Sequence, residues 1–527
     1  MAVWPNKAGF DTDYQEYEPV ELVVKGQIPS YAAGVLYRTG PLGYKAKTDR
    51  NGVWAANHWF DGFSCVHRFE ISFNDGTQAP KVTYNSRRTV DEMLNRVRKT
   101  GKLDGFTFAK KRDPCESFFQ KVMSIFRPAP SAQNVGVTLS INMPGGGYTP
   151  QNKGTPGVNG HSTGIETLHI KTDADLLNEV DPETLEPRGV HRFTKLHPKL
   201  TGQLAAAHAE TDPITGDIFN YNLELGPKPL YRVFQTSAST GQTEILATFQ
   251  AAPAYIHSFF LTENYIVLCV WNSQLKWGGA SILYYQNILD SIAPFDPSAK
   301  AKWYVIDRKG KGLVATYESD PFFSFHTINS WEEPSSKDTT KTDIICEISL
   351  YDNLDILHSF YYDNLVGTPK ISKSGEVEKP ASCLPHHAQF RLANIESQDS
   401  QIRPAELVSK ADSMISMDLP TIHPAYSCRK HRYVYGPADR LKSSFVDAIV
   451  KFDNITQEAI FWEEEGHTPG EAIFVADPAG AAEAAPSDDR NKTTRQLTIT
   501  PSKLLDHRLP ETSSIDRRHG TGQRRWY

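Results

Sequence analysis

Paired cysteines, a surplus of positive charge and long apolar runs are all missing from this chain, and each absence closes off a class of function. The six cysteines (Cys65, Cys115, Cys269, Cys346, Cys383 and Cys428) stand singly with no C-x-x-C pair. That spacing argues against a zinc cage and against a disulfide scaffold, and it fits a reducing, cytoplasmic compartment. A formal net charge of −6 offers no basic field for nucleic acid. The N-terminal MAVWPNKAGFDTDYQEYEP has neither a basic leader region nor an apolar one. No run reaches the roughly 18 apolar residues of a membrane span. The expectation is a protein that is soluble, or at most peripheral to a membrane.

What is present is ample material for a core: 527 residues, 39% hydrophobic and 22% charged. Short β-type runs open the chain: VLYRTGPLG, NHWFDGFSCVHRFEISFNDG and KVTYNS. Their alternation and Gly/Asn/Asp punctuation read as hairpins. Residues 88–130 depart from this, because DEMLNRVRKTGKL and DPCESFFQKVMSIFRP space their apolar residues at about one helical turn. In the second of these, Phe118, Phe119, Val122, Met123, Ile125 and Phe126 form a greasy stripe beside Lys121 and Arg127. Such a stripe is either core or a peripheral membrane contact through residues 115–129.

From Asn134 the β-type runs return, joined by DPETLEPRG, DPITGD, SASTGQ, DRKGKG and DNITQEA, each a hairpin-type turn. Their spacing suits four-stranded units repeated about an axis, which favours a β-propeller over a sandwich. The segment from Gly145 to Gly164 reads as an excursion, and Ser330 to Lys341 as a polar loop between strands. The expected architecture is all-β: a single domain over residues 1–527, with helices added over one face.

Three histidines share one setting. His208 in LAAAHAETDPITGD, His257 in AYIHSFFLTENYIVL and His326 in DPFFSFHTINSWEE each sit at the edge of an apolar run. His326 is expected where a strand ends. Taken alone, each could be an ordinary core histidine bonded to backbone. They stand 49 and 69 residues apart, a spacing that means nothing locally. In a propeller, inner strands of successive blades meet at the axis, so one imidazole per blade can face a common ion. Other histidines, such as His197 in HPK and His431 in CRKHR, keep polar or basic company and read as solvated.

VLYRTGP, HWFDGFSCVHRFEI, DPCESFFQKVMSIFRP, NVGVTL, VDPETLEP, the three histidine segments and GEAIFVADP together resemble the carotenoid cleavage oxygenases, a family that includes stilbene cleavers and a retinoid isomerase. The likeness spans most of residues 30–478 and is greatest to fungal members acting on torulene or related carotenoids. It implies a seven-bladed propeller with a helical cap over the face that carries the metal site, and Fe(II) on the axis held by four histidines. His208, His257 and His326 fall on the first three ligand positions. The resemblance also implies carboxylates that hold the ligand imidazoles, at Asp173, Asp418 and Glu471, the two aspartates being shorter than the family's usual glutamate. Turn capping is the plainer reading of those aspartates. Phe60 matches an aromatic that lines the family's substrate cleft, although it could equally be packing between blades.

The implied reaction is cleavage of one C=C bond of a lipophilic polyene by O₂, with Fe(II) as cofactor, to give two aldehyde products. A stilbene substrate is the alternative. Stilbene cleavers in the family hold a phenolic hydroxyl with a tyrosine and a lysine. Here the lysine position matches Thr172, with Lys171 adjacent, and NVGVTLSINMPG contains no tyrosine. A linear carotenoid is therefore expected.

The C-terminus departs from the family pattern. Residues 480–527 are polar and lack strand alternation, where the family has two apolar strands and a Gly-Phe-His-Gly segment carrying the fourth histidine. His519 in RRHGTG is the one His-Gly pair near the end, flanked by Arg517 and Arg518, which repel a cation; His507 is a weaker candidate. The expectation is either iron held by three histidines and water, or a catalytically impaired chain that binds polyenes without cleaving them.

Overall fold

Short hairpin turns, each closed by its own side chain, set the pattern of the fold. In DPETLEP, Asp181 Oδ1 accepts the backbone N–H groups of Glu183 (2.9 Å) and Thr184 (2.8 Å). In DPITGD, Asp212 does the same for Ile214 and Thr215, both at 2.8 Å. Asp453 accepts from Ile455 at 2.9 Å in DNITQEA. A carboxylate that satisfies the turn's own N–H groups makes a hairpin local and cheap to form. These turns join antiparallel pairs, among them Leu176–Val180 with Pro187–Arg192, Ala301–Asp307 with Gly312–Ser319, and Ala448–Asp453 with Glu458–Trp462.

The computed structural model describes residues 4, 6–49, 51–73, 79–103, 105–111, 134–147, 164–397 and 401–477. Its sheets follow one another in chain order. The first has the order Val20–Leu22, Pro80–Arg88, Ser64–Phe73, Gly34–Pro41, and the second Pro187–Arg192, Leu176–Val180, Leu168–Lys171, Thr138–Ile141. A third is built on Ile218–Glu224, Leu230–Thr236 and Thr243–Gln250. Next comes an eight-stranded sheet made of two antiparallel groups of four, joined only by the short parallel contact of Tyr317 and Glu318 with Arg403 and Pro404. The last described sheet holds Tyr433–Ala438, Ala448–Asp453 and Glu458–Trp462. This is an all-β, propeller-like arrangement.

Hydroxyl groups fasten the inner strands of the two groups of the eight-stranded sheet, where no ladder joins them. Ser258 Oγ donates to the Phe325 carbonyl (2.8 Å), Thr327 Oγ1 to that of Phe259 (2.9 Å) and Ser330 Oγ to that of Leu261 (2.8 Å). Outside these lies an aromatic core in which the Trp303 ring meets Phe390 at 4.9 Å and Phe322 at 5.9 Å. The helices among the described residues are short. Asp91–Thr100 is the expected helix of DEMLNRVRKTGKL; it buries Met93, Leu94 and Val97 and ends on Gly101 at φ 70, a conformation that suits glycine at a helix C-terminus. The 115–129 stripe and the 480–527 tail lie outside the described residues.

Three sequence expectations need correction. Trp59–Asp61 of HWFDGF is a 3₁₀ turn and not strand, because the His58 ring accepts the Phe60 N–H and caps it. His326 lies inside the strand Phe323–Pro334, which carries on past Ser330. His431 is buried and not solvated, since a carboxylate from a distant strand receives it. That carboxylate is Glu347, which is fully buried. Its Oε1 accepts from His387 Nε2 (2.6 Å), Asn454 Nδ2 (2.7 Å) and Gln389 Nε2 (3.2 Å), and its Oε2 faces His431 Nε2 at 2.9 Å. The network ties the last two described sheets together.

Removing one partner of such a buried network leaves the others unsatisfied, at a cost of about 3–5 kcal/mol. Glu347→Ala is therefore expected to lower the urea or thermal midpoint markedly, and a loss under about 1 kcal/mol contradicts this account. Burial favours the protonated carboxyl, but the His431 and His387 rings outweigh it and hold Glu347 well below the usual carboxylate range. A group held low in the fold binds its proton more readily once unfolded. Its stabilisation is complete above the ordinary carboxylate range and is lost as pH falls below about 4.

Candidate metal centre

Each of the three histidines is presented by a local irregularity. The strand pieces Leu204–Ala205 and Glu210–Thr211 both pair with Ile218–Glu224, and between them the ladder is interrupted. There the Asn220 side chain replaces the ladder, accepting from Ala206 N–H (3.1 Å) and donating to the Ala206 carbonyl (2.9 Å). The freed stretch pushes His208 inward. His257 precedes the short strand Phe260–Leu261, and its carbonyl accepts the His208 N–H at 3.2 Å. His326 sits at a bulge, where the register with Thr342–Tyr351 slips between Ser324 and Thr327. A bulge is a common device for re-aiming a side chain.

The three imidazoles meet. Their ring centroids are 4.8 to 5.0 Å apart, and their ligand-capable nitrogens lie within 4.8 Å of one another. His257 Nδ1 donates to Asp173 Oδ1 and His326 Nδ1 to Asp418 Oδ1, both at 2.6 Å. With Nδ1 so engaged, Nε2 is the nitrogen left over on each ring. That of His326 is buried with no hydrogen-bond partner, an expensive condition unless something else takes the lone pair. Burial, with His326, His257 and Lys171 nearby, holds His208 well below the usual imidazole range. For His326 burial pulls down, but the Asp418 charge and hydrogen bond outweigh it and raise it. Three imidazoles with no carboxylate among them form a neutral nitrogen set that can hold a divalent iron-type ion.

The two aspartates are themselves anchored. Asp173 Oδ2 accepts from the Tyr255 hydroxyl (3.0 Å) and Asp418 Oδ2 from that of Tyr351 (2.8 Å). Neither tyrosine stood out in the sequence, since each reads as one more core aromatic.

The histidines open into a cavity of about 2130 Å³. Its wall near them is aromatic: Phe60, Phe108, Phe325 and Phe360 all line it. The Phe60 ring stands edge-on to Phe108 at 4.7 Å and to Phe325 at 5.7 Å. Asp61, itself at the cavity, fixes this wall by accepting N–H groups from Phe108 (2.6 Å) and Ala109 (2.9 Å). Burial raises its carboxyl to about 6 despite those bonds. Thr172 lines the cavity and Lys171 does not. Lys171 is buried, brought down to about 8 by burial and opposed by Glu210, which burial lifts to about 7 against the pull of Lys171. Glu471 lines the cavity too. No histidine among the described residues bonds its carboxylate, which burial raises against the opposing pull of Arg38 and His326. The Arg38 guanidinium donates to the Glu471 carbonyl. His519 lies outside the described residues.

The family model for retinal pigment epithelial membrane protein matches residues 9–489, and the chain belongs to this carotenoid oxygenase family. Among curated relatives, a carotenoid dioxygenase of Neurospora crassa is 39% identical, the match covering 91% of this chain and 83% of the relative. A torulene dioxygenase of Gibberella fujikuroi is 40% identical over 91% of this chain and 85% of its own. A solved apocarotenoid oxygenase mutant of Synechocystis has the same fold, with a TM-score of 0.64 at 19% identity over 91% of this chain and 88% of that one. A cobalt-substituted form of the Synechocystis enzyme matches at 0.61, with 19% identity over 90% of this chain and 86% of that one.

A three-imidazole set acts as a unit, because two donors leave an open shell that holds a divalent ion weakly. His208→Ala, His257→Ala and His326→Ala are each expected to abolish stoichiometric iron, measured by plasma emission on folded protein. Full iron in all three single variants overturns the assignment.

Proposed function

We propose that the chain is an Fe(II)-dependent dioxygenase that cleaves one C=C bond of a carotenoid or apocarotenoid, with His208, His257 and His326 as iron ligands. The observation that carries this reading is three imidazoles brought together at a large cavity whose wall beside them is aromatic. Asp173 and Asp418 hold two of the rings by their distal N–H groups, which fixes the tautomer and strengthens the donors without adding charge beside the ion. Glu471 stands as a third carboxylate that waits for a further imidazole, for which His519 is the candidate in the tail. Around this centre the reading includes a seven-bladed propeller formed as one domain over residues 1–527, with a helical cap that takes in residues 88–130.

Bound iron would supply O₂ activation. In the overall reaction the C=C bond breaks and each of its carbons receives one oxygen atom of O₂, giving two aldehydes. The chain's own residues bind and orient. A polyene offers almost nothing to hydrogen-bond, so affinity comes from burial, on the order of 0.8 kcal/mol per CH₂. Phe60, Phe108, Phe325 and Phe360 supply the apolar wall and keep water from the reacting bond. Which bond is cut depends on where the cavity stops the chain.

The cavity rim supports a peripheral membrane contact for a cytoplasmic protein, since the substrate resides in lipid. Trp277, Leu283 and Phe106 are 62%, 55% and 53% exposed, and all three line the cavity. Trp277 adopts a left-handed conformation at φ 55, rare for a bulky side chain. Among the described residues no helix is long and apolar enough to cross a membrane.

Two measurements test the reading. Iron-replete protein given a carotenoid panel under ¹⁸O₂ is expected to release two aldehydes that each carry one labelled oxygen, and to turn over carotenoids faster than resveratrol. Thr172 lines the cavity at the position where the resemblance puts a lysine in stilbene cleavers, and Lys171 does not line it; faster turnover of resveratrol contradicts the assignment. Combining Trp277→Ser, Leu283→Ser and Phe106→Ser is expected to reduce co-sedimentation with liposomes while the melting temperature holds. Unchanged sedimentation removes the rim from membrane contact.

A further inference from the structure

Behind the two aspartates the same arrangement is built twice, by unrelated local means. Tyr255 lies two residues before His257 on the same extended stretch. Its hydroxyl donates to Asp173 Oδ2 at 3.0 Å, while His257 Nδ1 donates to Asp173 Oδ1 at 2.6 Å. Tyr351 ends the strand Thr342–Tyr351, which pairs with the strand carrying His326. Its hydroxyl donates to Asp418 Oδ2 at 2.8 Å, while His326 Nδ1 donates to Asp418 Oδ1 at 2.6 Å. Each carboxylate is thus gripped at both oxygens, by a phenol on one side and an imidazole on the other.

Rotation of the carboxylate about its terminal torsion is nearly free, and such torsions are broad wells. On each carboxylate Oδ1 takes a backbone N–H as well as the imidazole, from Ala207 at 3.4 Å in Asp173 and from Leu419 at 2.9 Å in Asp418. The phenol, held by packing, engages the other oxygen and completes the restraint. Both phenols are held: Tyr255 is 1% and Tyr351 2% exposed. The Tyr255 ring packs on Phe108 at 5.5 Å and the Tyr351 ring on Phe325 at 6.0 Å. The phenol also draws on the carboxylate's charge, so the shared proton stays on the imidazole Nδ1 and the lone pair stays on Nε2. We propose that Tyr255 and Tyr351 are positioning residues that lock Asp173 and Asp418 in place and so set how tightly the three-histidine centre holds its metal.

The proposal rests on the reading of His208, His257 and His326 as ligands, and the test separates the two. Full-length protein is stripped of metal and titrated with Co(II), read by the visible absorption of the bound ion. Tyr255→Phe and Tyr351→Phe keep the ring and its packing and remove only the hydroxyl. Removing a residue that orients a metal-bound histidine costs 10- to 100-fold in affinity, so each hydroxyl, acting through a carboxylate although that of Tyr255 also lies 3.2 Å from His257 Nδ1, is expected on removal to weaken Co(II) binding by about 3- to 10-fold. The double variant is expected to weaken it more than either single variant, and because both pairs converge on one metal centre the two effects are coupled. Near-ultraviolet circular dichroism of the metal-free proteins is expected to match the wild type, which a merely structural role of the hydroxyls would not predict alongside the affinity loss. Should one variant fail to fold, the other, on a different element, carries the same test. Co(II) affinity within twofold of wild type in the variants, with binding abolished in His257→Ala, overturns the proposal and leaves the metal site standing. Failure of the wild type to bind Co(II) overturns both.

Discussion

The hydrogen bond between a buried imidazole and a carboxylate remote in sequence is the contact on which this structure turns. His257 and Asp173 are 84 residues apart in sequence, and His326 and Asp418 are 92 apart. Neither pair can form until the strands between its members have folded. An imidazole left in the apolar cavity with an unsatisfied N–H costs about 1–3 kcal/mol, so the centre takes shape only as the surrounding strands come together. The Ser258, Thr327 and Ser330 hydroxyls serve that packing, because they hold the inner strands that present His257 and His326 to each other. Site and fold are thus one problem: the bulge at His326 and the gap at His208 give up ladder bonds to turn side chains inward, and the hydroxyl and amide groups beside them replace what is lost.

Much of this was legible in the chain because its signals are local. Hairpin turns announce themselves where an aspartate can bond the N–H groups two and three residues on, and Asp181, Asp212 and Asp453 do so. The helix Asp91–Thr100 was legible for the same reason, with acids in its first turn, bases in its last and glycine after it. His208, His257 and His326 stood out as polar residues inside apolar runs, and Asp173 and Asp418 emerged through family likeness. What stayed hidden depends on partners remote in sequence. His431, in CRKHR, has charged neighbours on every side, yet its ring is drawn inside by Glu347. That glutamate looks like one polar residue in the apolar strand TDIICEISLY until His387 and Asn454 are folded against it. Tyr255 and Tyr351 were hidden differently: both are the expected aromatic in an apolar strand, and nothing in the pattern separates a hydroxyl that packs from one that holds a carboxylate.

The division between polar and apolar surface around the cavity follows from the same logic. A site for a greasy chain needs a wall without hydrogen-bonding groups, yet a wall of phenylalanines alone has no means of fixing its own position. Polar groups beside the rings supply it. Asp61 receives the N–H groups of Phe108 and Ala109 and so sets the backbone that carries one ring. The His58 ring, brought down to about 4 chiefly by burial, accepts from the Phe60 N–H and faces the Leu357 carbonyl at 2.8 Å, which sets a second ring. Lys171 and Glu210 offset each other out of contact with the cavity, while Thr172 beside them presents only a small side chain. The Lys171–Glu210 pair is thereby kept out of the cavity lining beside the histidines. A cavity of this kind selects by length and shape, since nothing on its aromatic face distinguishes one stretch of conjugated chain from the next.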